Sequence, residues 1–287
     1  MRLGFALLLL VAAQAVYAQG SLTITTEPNA IVWIDEIRRG TTDASGKLTI
    51  EKVSGGRHSV RVRANGFKES VTPLVPGRRT VSVKLVTTTD QAELLFQQAE
   101  AARDKASLEN AADLYRQAIK LRPAFPAAHV GLARVLLDLN QFKEAHAEID
   151  AARRTRPAYA EASAVEGRIY REEAFADDAI RSFRRAIREG GGVQPEAYVG
   201  MARVLEDKGD YAGAITNFQK ALAQLADTEP VIYQMAGAAY ERVNKPKEAV
   251  AAYEKYLQLA PNGSYAAAIR SIINQLKREA AGEQIIP

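Results

Sequence analysis

Short runs in which apolar and polar residues alternate fill the first third of the chain, between residues 20 and 86. A period of two buries one face of a β-strand and leaves the other face in water. Turn-forming glycine, asparagine and proline separate the runs. The clearest runs are LTIT at 22–25, HSVRVRA at 58–64 and VSVKL at 81–85. The pattern predicts about six strands of roughly five to seven residues, folded as a small antiparallel sandwich.

A longer unit repeats five times between residues 92 and 263. Alanine recurs at intervals of 34, 34, 35 and 35 residues, and a bulky residue follows each alanine four positions later. The alanines are Ala111, Ala145, Ala179, Ala214 and Ala249, and the bulky residues are Tyr115, Ile149, Phe183, Phe218 and Tyr253. Columns that keep one register over five units indicate an array of a single structural unit.

The period and the residues at these offsets resemble the tetratricopeptide repeat (TPR). The resemblance implies that each unit is a pair of antiparallel helices and that the pairs stack into an all-α superhelical solenoid. The units are 92–125, 126–159, 160–193, 195–228 and 230–263. An apolar stripe with a polar back predicts a capping helix at 264–280, and residues 281–287 are expected to form a loose tail.

The N-terminal module resembles the PEGA domain, a prealbumin-like sandwich of prokaryotic envelope proteins, through EPNAIVWID at 27–35 and GRHSVRVRANGF at 56–67. It is also similar to the carboxypeptidase regulatory-like family, through Asp43, Gly46, Gly56 and Gly66-Phe67. The two families share a fold, so either resemblance implies a β-sandwich at 20–86. A linker at 87–91 is expected to join it to the solenoid, and each module is expected to own its core.

The N-terminus predicts a secretion signal at 1–18. A basic start at Arg2 precedes an apolar run at 3–13, and Val16 and Ala18 lie three positions and one position before a cut after Ala18. A helix that spans a bilayer needs about 20 apolar residues, so we expect no transmembrane span in the mature chain. The expected location is a bacterial periplasm or cell envelope, or alternatively the outside of the cell.

Basic residues concentrate in the N-terminal module. Residues 20–86 hold eleven Lys and Arg and six Asp and Glu, a net charge of +5, whereas the residues beyond 86 carry −2. In HSVRVRA, Arg61 and Arg63 share the strand face opposite the apolar one. They predict either a surface for an anionic envelope polymer or lipid headgroup, or a strand face kept soluble by its charge.

Trp33, the single tryptophan, is predicted on the outward face of its strand, because Val32 and Ile34 alternate with it toward the core. An outward aromatic side chain stacks on a sugar or a partner. The alternative is that Trp33 covers the edge of the sandwich or the next domain.

The TPR resemblance implies that the ninth residue of each unit's first helix lies on the concave surface. Three consecutive units carry arginine there, and most residues four positions earlier are apolar. The ninth residues are Glu100, Arg134, Arg168, Arg203 and Ala238, and the earlier ones are Phe96, Val130, Ala164, Val199 and Gln234. An arginine row beside an apolar strip suits an extended peptide with carboxylates or a free C-terminus. Gly131 and Gly200 are expected to let the backbone of such a ligand approach.

An alternative gives the arginine row a structural role. Each arginine has an acid four residues on, and such a pair stabilises a helix by about 0.2–0.5 kcal/mol. The pairs are Arg134 with Asp138, Arg168 with Glu172, and Arg203 with Asp207.

No catalytic constellation is recognisable in the sequence. The chain has no cysteine and three histidines, and it has no glycine-rich phosphate loop. His58 is expected in a strand with no serine or acid motif near it in the sequence. We therefore expect neither an enzyme nor a cofactor nor a metal site, and no nucleic-acid partner. Two functions remain: an exported adaptor that binds a protein or peptide in the groove, or an envelope protein whose basic sandwich binds an anionic glycan or lipid.

Overall fold

The computed structural model describes residues 20–280, apart from residues 36, 54–57 and 226. The expected signal peptide at 1–18 and the tail at 281–287 lie outside the described residues. Within the described part, a β-sandwich precedes eleven helices, as the fold class predicted from the sequence requires. None of these helices is long and apolar enough to cross a membrane.

The sandwich has seven described strands, one more than the alternation predicted. They are β1 (Gly20–Thr25), β2 (Ile31–Ile34), β3 (Ile37–Thr41), β4 (Lys47–Val53), β5 (His58–Arg63), β6 (Ser70–Leu74) and β7 (Thr80–Ser82). One sheet has the order β4-β1-β7 and the other has the order β3-β2-β5-β6. Strand β3 has the sequence IRRGT, which lacks alternation, so only its pairing with β2 identifies it.

The two sheets enclose one apolar core. Val32 lies directly opposite Val62 in the β2–β5 ladder, and both side chains are fully buried. Leu22 and Ile24 of β1 face them from the other sheet. As the alternation predicted, the same ladder pairs Trp33 with Arg61 on its outer face.

The helices follow in pairs. They are α1 (Gln91–Asp104), α2 (Leu108–Leu121), α3 (Pro126–Asp138), α4 (Phe142–Thr155), α5 (Ala160–Glu172), α6 (Ala176–Glu189), α7 (Pro195–Asp207), α8 (Tyr211–Leu225), α9 (Val231–Arg242), α10 (Pro246–Leu259) and α11 (Ala266–Ala280). Asp90 caps α1 by accepting from the N–H groups of Ala92 and Glu93. The last helix, α11, covers the end of the array, where Ile269 and Ile273 pack on Tyr256.

The repeated bulky column forms the core of the solenoid, and glycines make room for it. A Cβ added to Gly131 would lie 2.5 Å from the ring of Tyr115, and one added to Gly200 would lie 2.2 Å from the ring of Phe183. Each glycine thus has a packing role, because an aromatic ring of the preceding unit occupies the place of its side chain. Gly131 and Gly200 also line the concave side, so the approach of a ligand backbone to them stays a prediction.

We predict that Gly200→Ala destabilises the protein by about 1–3 kcal/mol, the usual cost of overpacking a core. Helix propensity alone would predict a gain in stability, because it favours alanine over glycine by about 1 kcal/mol. Urea unfolding of the two proteins measures the difference. In a Phe183→Leu background the same substitution should cost less, because the smaller side chain leaves space for the methyl group. A Gly200→Ala protein more stable than the parent would contradict the close approach of the ring.

Candidate functional site

The sandwich lies across the inner side of the solenoid and leaves a cleft between them. The cleft has a volume of about 1060 Å³ and is lined by the outer face of β2 and β5 and by the first helix of every unit, α1, α3, α5, α7 and α9. Trp33 lines it from the sandwich, and Val199 and Arg203 line it from α7. We call this space the inter-domain cleft.

The first anchor of the sandwich is the turn that follows β5. The buried Gln97 side chain of α1 accepts a hydrogen bond from the Gly66 N–H at 2.9 Å and donates one to the Phe67 carbonyl at 2.8 Å. The Thr88 N–H donates to the Gly66 carbonyl, so the start of the expected linker is hydrogen-bonded to this same turn. The turn and α1 are thereby held together by one side chain, the Gln97 amide, which bonds two backbone groups of the turn.

A stack of guanidinium and aromatic groups continues this anchor. Arg61 and Arg63 lie over the ring of Trp33 at 4.3 and 5.2 Å, and Arg63 also lies 4.7 Å from the ring of Phe96 on α1. Such contacts contribute about 0.5–2 kcal/mol, and more as water is excluded. Of the two interpretations of Trp33, the structure therefore favours the one in which its side chain covers the next domain.

Carboxylates from both modules neutralise the two arginines. Glu69 accepts from Arg63 Nε at 3.0 Å, and Glu100 of α1 accepts from Arg63 Nη1 at 3.2 Å. Arg61 lies 3.8 Å from Glu161 of α5. Burial alone would lower the pKa of Arg63, but the carboxylates of Glu100 and Glu69 outweigh it and raise that pKa. The side chains of Arg61 and Arg63 are only 12% and 10% exposed, so they face the solenoid and not open solvent.

The second anchor is β3, on the other side of the cleft. The Ile37 side chain is 4% exposed and packs in the apolar cluster of α8 and α9, apart from the sandwich core. Arg39 donates to the backbone carbonyls of Gln224 and Leu225 at 3.1 and 3.2 Å. The expectation that each module owns its core therefore fails at Ile37, because a side chain of the sandwich completes a core of the solenoid.

The three arginines of the predicted row differ in their partners and in their exposure. Arg134 is held by Glu196 of α7 through two hydrogen bonds of 2.8 Å. Arg168 is part-exposed and lies 3.4 Å from Asp138 and 3.5 Å from Glu196. Arg203 is exposed, and within the described residues it has no hydrogen bond or ion pair. All three line the inter-domain cleft.

None of the expected pairs between an arginine and the acid four residues on is formed among these residues. Asp138 pairs with Arg168 and not with Arg134, and Asp207 pairs with Arg171 and not with Arg203. The reason is geometric: the first helices converge on the concave side, so an acid of a neighbouring unit lies closer than one on the next turn.

The predicted apolar strip is only partly open to a ligand. Phe96 and Val130 are buried within the solenoid core, at 3% and 1% exposure, although their edges line the cleft. Phe96 packs on Phe125 with ring centroids 4.9 Å apart. Val199 is half-buried and lies one helical turn before Arg203, so these two form the accessible apolar and basic pair.

Glu161 and Glu196 were not predicted as site residues, although the repeat contains a signal for them. They occupy the second position of their units, where the first unit has Glu93. This position lies two turns before the arginine position, on the same side of the helix. A search of that column would have indicated an acidic row beside the basic one.

Each of the three histidines contacts a carboxylate. His58 Nδ1 lies 2.5 Å from Asp35, which is 23 residues away in the sequence, and His146 contacts Glu173 at 2.8 Å. His129 contacts Glu148 at 2.5 Å and the Pro123 carbonyl at 2.9 Å. Burial opposes the charge of His129, but these two acceptors raise its pKa. The described residues contain no group of three His, Asp or Glu side chains arranged to hold a metal ion.

We predict that Glu196→Gln costs about 1–3 kcal/mol of unfolding free energy at pH 7. The substitution removes the carboxylate that accepts both hydrogen bonds of the enclosed Arg134 and leaves only the more distant Glu161 and Glu100 as counter-charges. Burial raises the pKa of Glu196, but Arg134 and Arg168 outweigh it and lower that pKa. A carboxyl with a depressed pKa stabilises the fold above its unfolded pKa of about 4.3 and loses this contribution as pH falls through its folded value. The difference between parent and variant should therefore shrink below about pH 4.

Urea unfolding at several pH values measures this difference. The control is Glu172→Gln, which removes the carboxylate that pairs with Arg171 but is 49% exposed. Exposed pairs contribute about 0–1 kcal/mol, so the control should change stability little. An equal loss in the two variants would contradict a special role for Glu196.

Comparison with known proteins identifies the helical part. Residues 102–169 and residues 194–262 each match a family model described as tetratricopeptide repeat. No curated protein matches the chain.

Several solved structures share the fold. TTC0263, a TPR protein of Thermus thermophilus, is 21% identical with a TM-score of 0.55, over 65% of this chain and 98% of that one. PilF of Pseudomonas aeruginosa is 18% identical with a TM-score of 0.54, over 67% of this chain and 93% of that one. A chain of the APC/C hetero-tetramer Cut9-Hcn1 is 17% identical with a TM-score of 0.58, over 67% of this chain and 37% of that one. The helical part of this chain is therefore built from tetratricopeptide repeats.

Proposed function

We propose that this protein is an exported, non-enzymatic scaffold that binds an extended segment of a partner protein in its inter-domain cleft. The observation that carries the proposal is the cleft itself, a space of about 1060 Å³ enclosed by the sandwich and the concave side of the solenoid. Its length, across the first helices of all five units, suits an extended chain. The solved neighbours support the fold alone, so the partner's chemistry is argued from the cleft.

The chemistry of the cleft favours a segment that carries a carboxylate. Arg203 is exposed, and among the described residues nothing neutralises it by a hydrogen bond or ion pair. Desolvation and the nearby charge of Arg171 lower its pKa, so a carboxylate beside it would relieve unfavourable electrostatics. Val199 offers an apolar contact one turn away. An acidic side chain or a free C-terminus next to an apolar residue fits this pair.

The structure gives less support to the other function, binding of an anionic envelope polymer by the sandwich. Trp33, Arg61 and Arg63, which were its candidate residues, face the solenoid and are enclosed with Glu69 and Glu100. A broad polymer or a lipid surface cannot reach them there. A PEGA-like assignment for residues 20–86 remains part of this proposal, supported by the resemblance in sequence and by the sandwich fold.

We predict that random peptides displayed on phage and selected on the full-length protein are enriched in carboxylates, and that Arg168→Ala with Arg203→Ala reduces their binding at least about tenfold. A desolvated charge-assisted hydrogen bond contributes about 1.5–3 kcal/mol, and tenfold corresponds to about 1.4 kcal/mol. The binding of the selected peptides to each variant is measured by fluorescence anisotropy.

The matched control is Arg116→Ala with Arg181→Ala, which removes two arginines from second helices outside the cleft. Both are more than half exposed and pair with an acid three residues before them. This control should bind like the parent. If the cleft variant also binds like the parent while folding normally, the groove proposal is wrong.

Export is a proposal that rests on the sequence of residues 1–18. We predict that protein recovered from its native host begins at Gln19, because a signal peptidase cuts after the small residue Ala18. N-terminal sequencing or intact mass measures this. Recovery of the native protein with Met1 still attached would contradict export by this route.

A further inference from the structure

Among the described residues of the sandwich, strand β3 is the segment whose apolar side chain lies in the solenoid's core. Ile37 belongs to the apolar cluster formed by α8 and α9 and lines the cleft together with Leu225 and Ile232, whereas the buried residues of β1, β2 and β5 belong to the sandwich core. Ile37 thus lies outside the sandwich core. It behaves as an anchor residue inserted into another module's pocket.

Two arginines follow this anchor and bind polar groups on opposite sides of the groove. Arg39 donates to the carbonyls of Gln224 and Leu225, which end α8. The last carbonyls of a helix lack partners within the helix and carry the negative end of its dipole, so a guanidinium is favourable there. Arg38 lies 3.8 Å from Asp104, at the end of α1. Ile37, Arg38 and Arg39 are consecutive in the chain, and each of them contacts the groove.

This arrangement has the features of a bound extended peptide. The segment is a β-strand, its apolar side chain fills a pocket, and its basic side chains meet helix-end carbonyls and a carboxylate. From these contacts we infer that β3 is an internal ligand of the solenoid. The surface beside it, formed by the side chains of Leu225 and Ile232 and by the carbonyls of Gln224 and Leu225, is then a docking surface for a partner segment with an apolar residue followed two positions later by arginine. We call this surface the β3 pocket.

The inference rests on the proposed function in one respect, since it adds a second subsite and a regulatory step to the same cleft. A tethered ligand has an effective concentration of the order of millimolar. A partner segment in solution must therefore displace β3 before it can occupy the pocket. The protein would exist in a closed form with β3 seated and an open form with β3 released, and partners would bind the open form.

A thiol reporter measures the open form without any partner. The chain contains no cysteine, so Ile232→Cys introduces a single thiol at a position that is 4% exposed beside Ile37. We expect Ile37→Ser with Arg39→Ala to increase the rate of maleimide labelling of this thiol at least tenfold. The matched control, Arg78→Ala with Arg79→Ala, removes two exposed arginines from the same module at a loop away from the pocket and should leave the rate unchanged.

A second reporter separates release of β3 from unfolding of the solenoid. Ala214→Cys places the thiol in the same apolar cluster, but at a fully buried position that does not line the cleft. Its labelling should not change when Ile37 and Arg39 are replaced. If both thiols label faster together, β3 is a structural part of the solenoid core and the inference is wrong. An unchanged rate at Ile232→Cys would also overturn it.

The docking surface is tested with a synthetic peptide of residues 31–41, labelled with a fluorophore. It should bind the full-length Ile37→Ser, Arg39→Ala protein at least tenfold more tightly than the parent, whose pocket is filled. The same peptide with alanine in place of Arg39 should bind the open variant at least tenfold more weakly. Failure of the peptide to bind the open variant would overturn the docking surface.

The outcome of these experiments does not depend on the outcome of the peptide-binding test of the proposed function. Loss of displayed-peptide binding depends on Arg168 and Arg203, whereas thiol labelling depends on Ile37 and Arg39. One outcome separates the two proposals: the Ile37→Ser, Arg39→Ala protein labels rapidly, and the Arg168→Ala, Arg203→Ala protein still binds the selected peptides. In that case β3 is an internal ligand, and the proposed binding site at Arg168 and Arg203 is wrong.

Discussion

The rest of this structure depends on the close approach of an aromatic ring to a glycine of a neighbouring helix. Phe183 lies against both Gly167 and Gly200, and Tyr115 lies against Gly131. A side chain of any size at these glycines would hold the helices apart, so the glycines allow the units to pack closely. The first helices then converge on the concave side, where Arg134 on α3 reaches Glu196 on α7, two units further along.

The convergence of the helices determines which charged side chains of the concave surface are already paired within the protein. Carboxylates of other units pair with Arg134 and Arg171, so their guanidiniums already have partners within the protein. Arg203 remains exposed because the acids near it, Glu172 and Asp207, pair with Arg171 instead. Internal pairing thus leaves fewer arginines available in the proposed groove than the row in the sequence predicts.

The sandwich lies across this concave side and contacts several helices of the solenoid. Its charge of +5 meets carboxylates of two helices, through Arg63 with Glu100 and Arg38 with Asp104 on α1, and through Arg61 with Glu161 on α5. Ile37 and Arg39 bind the far side. A module that contacts α1 and α5 on one side and α8 and α9 on the other encloses the space between them. This is why the inter-domain cleft belongs to the whole chain and to neither module alone.

The two modules, the five repeat units and the inward and outward faces of β2 and β5 follow from local periodicity, so they were predictable from the sequence. Period two places Val32 and Val62 inside and Trp33 outside, and the interval of 34 or 35 residues places Phe183 in the core. The capping of α1 by Asp90 is likewise local. Three features required the folded structure: which carboxylate each arginine meets, which aromatic rings lie against Gly131 and Gly200, and the position of Ile37 in the apolar cluster of the solenoid. These features depend on distances between residues far apart in the chain, and the curvature of the solenoid sets those distances.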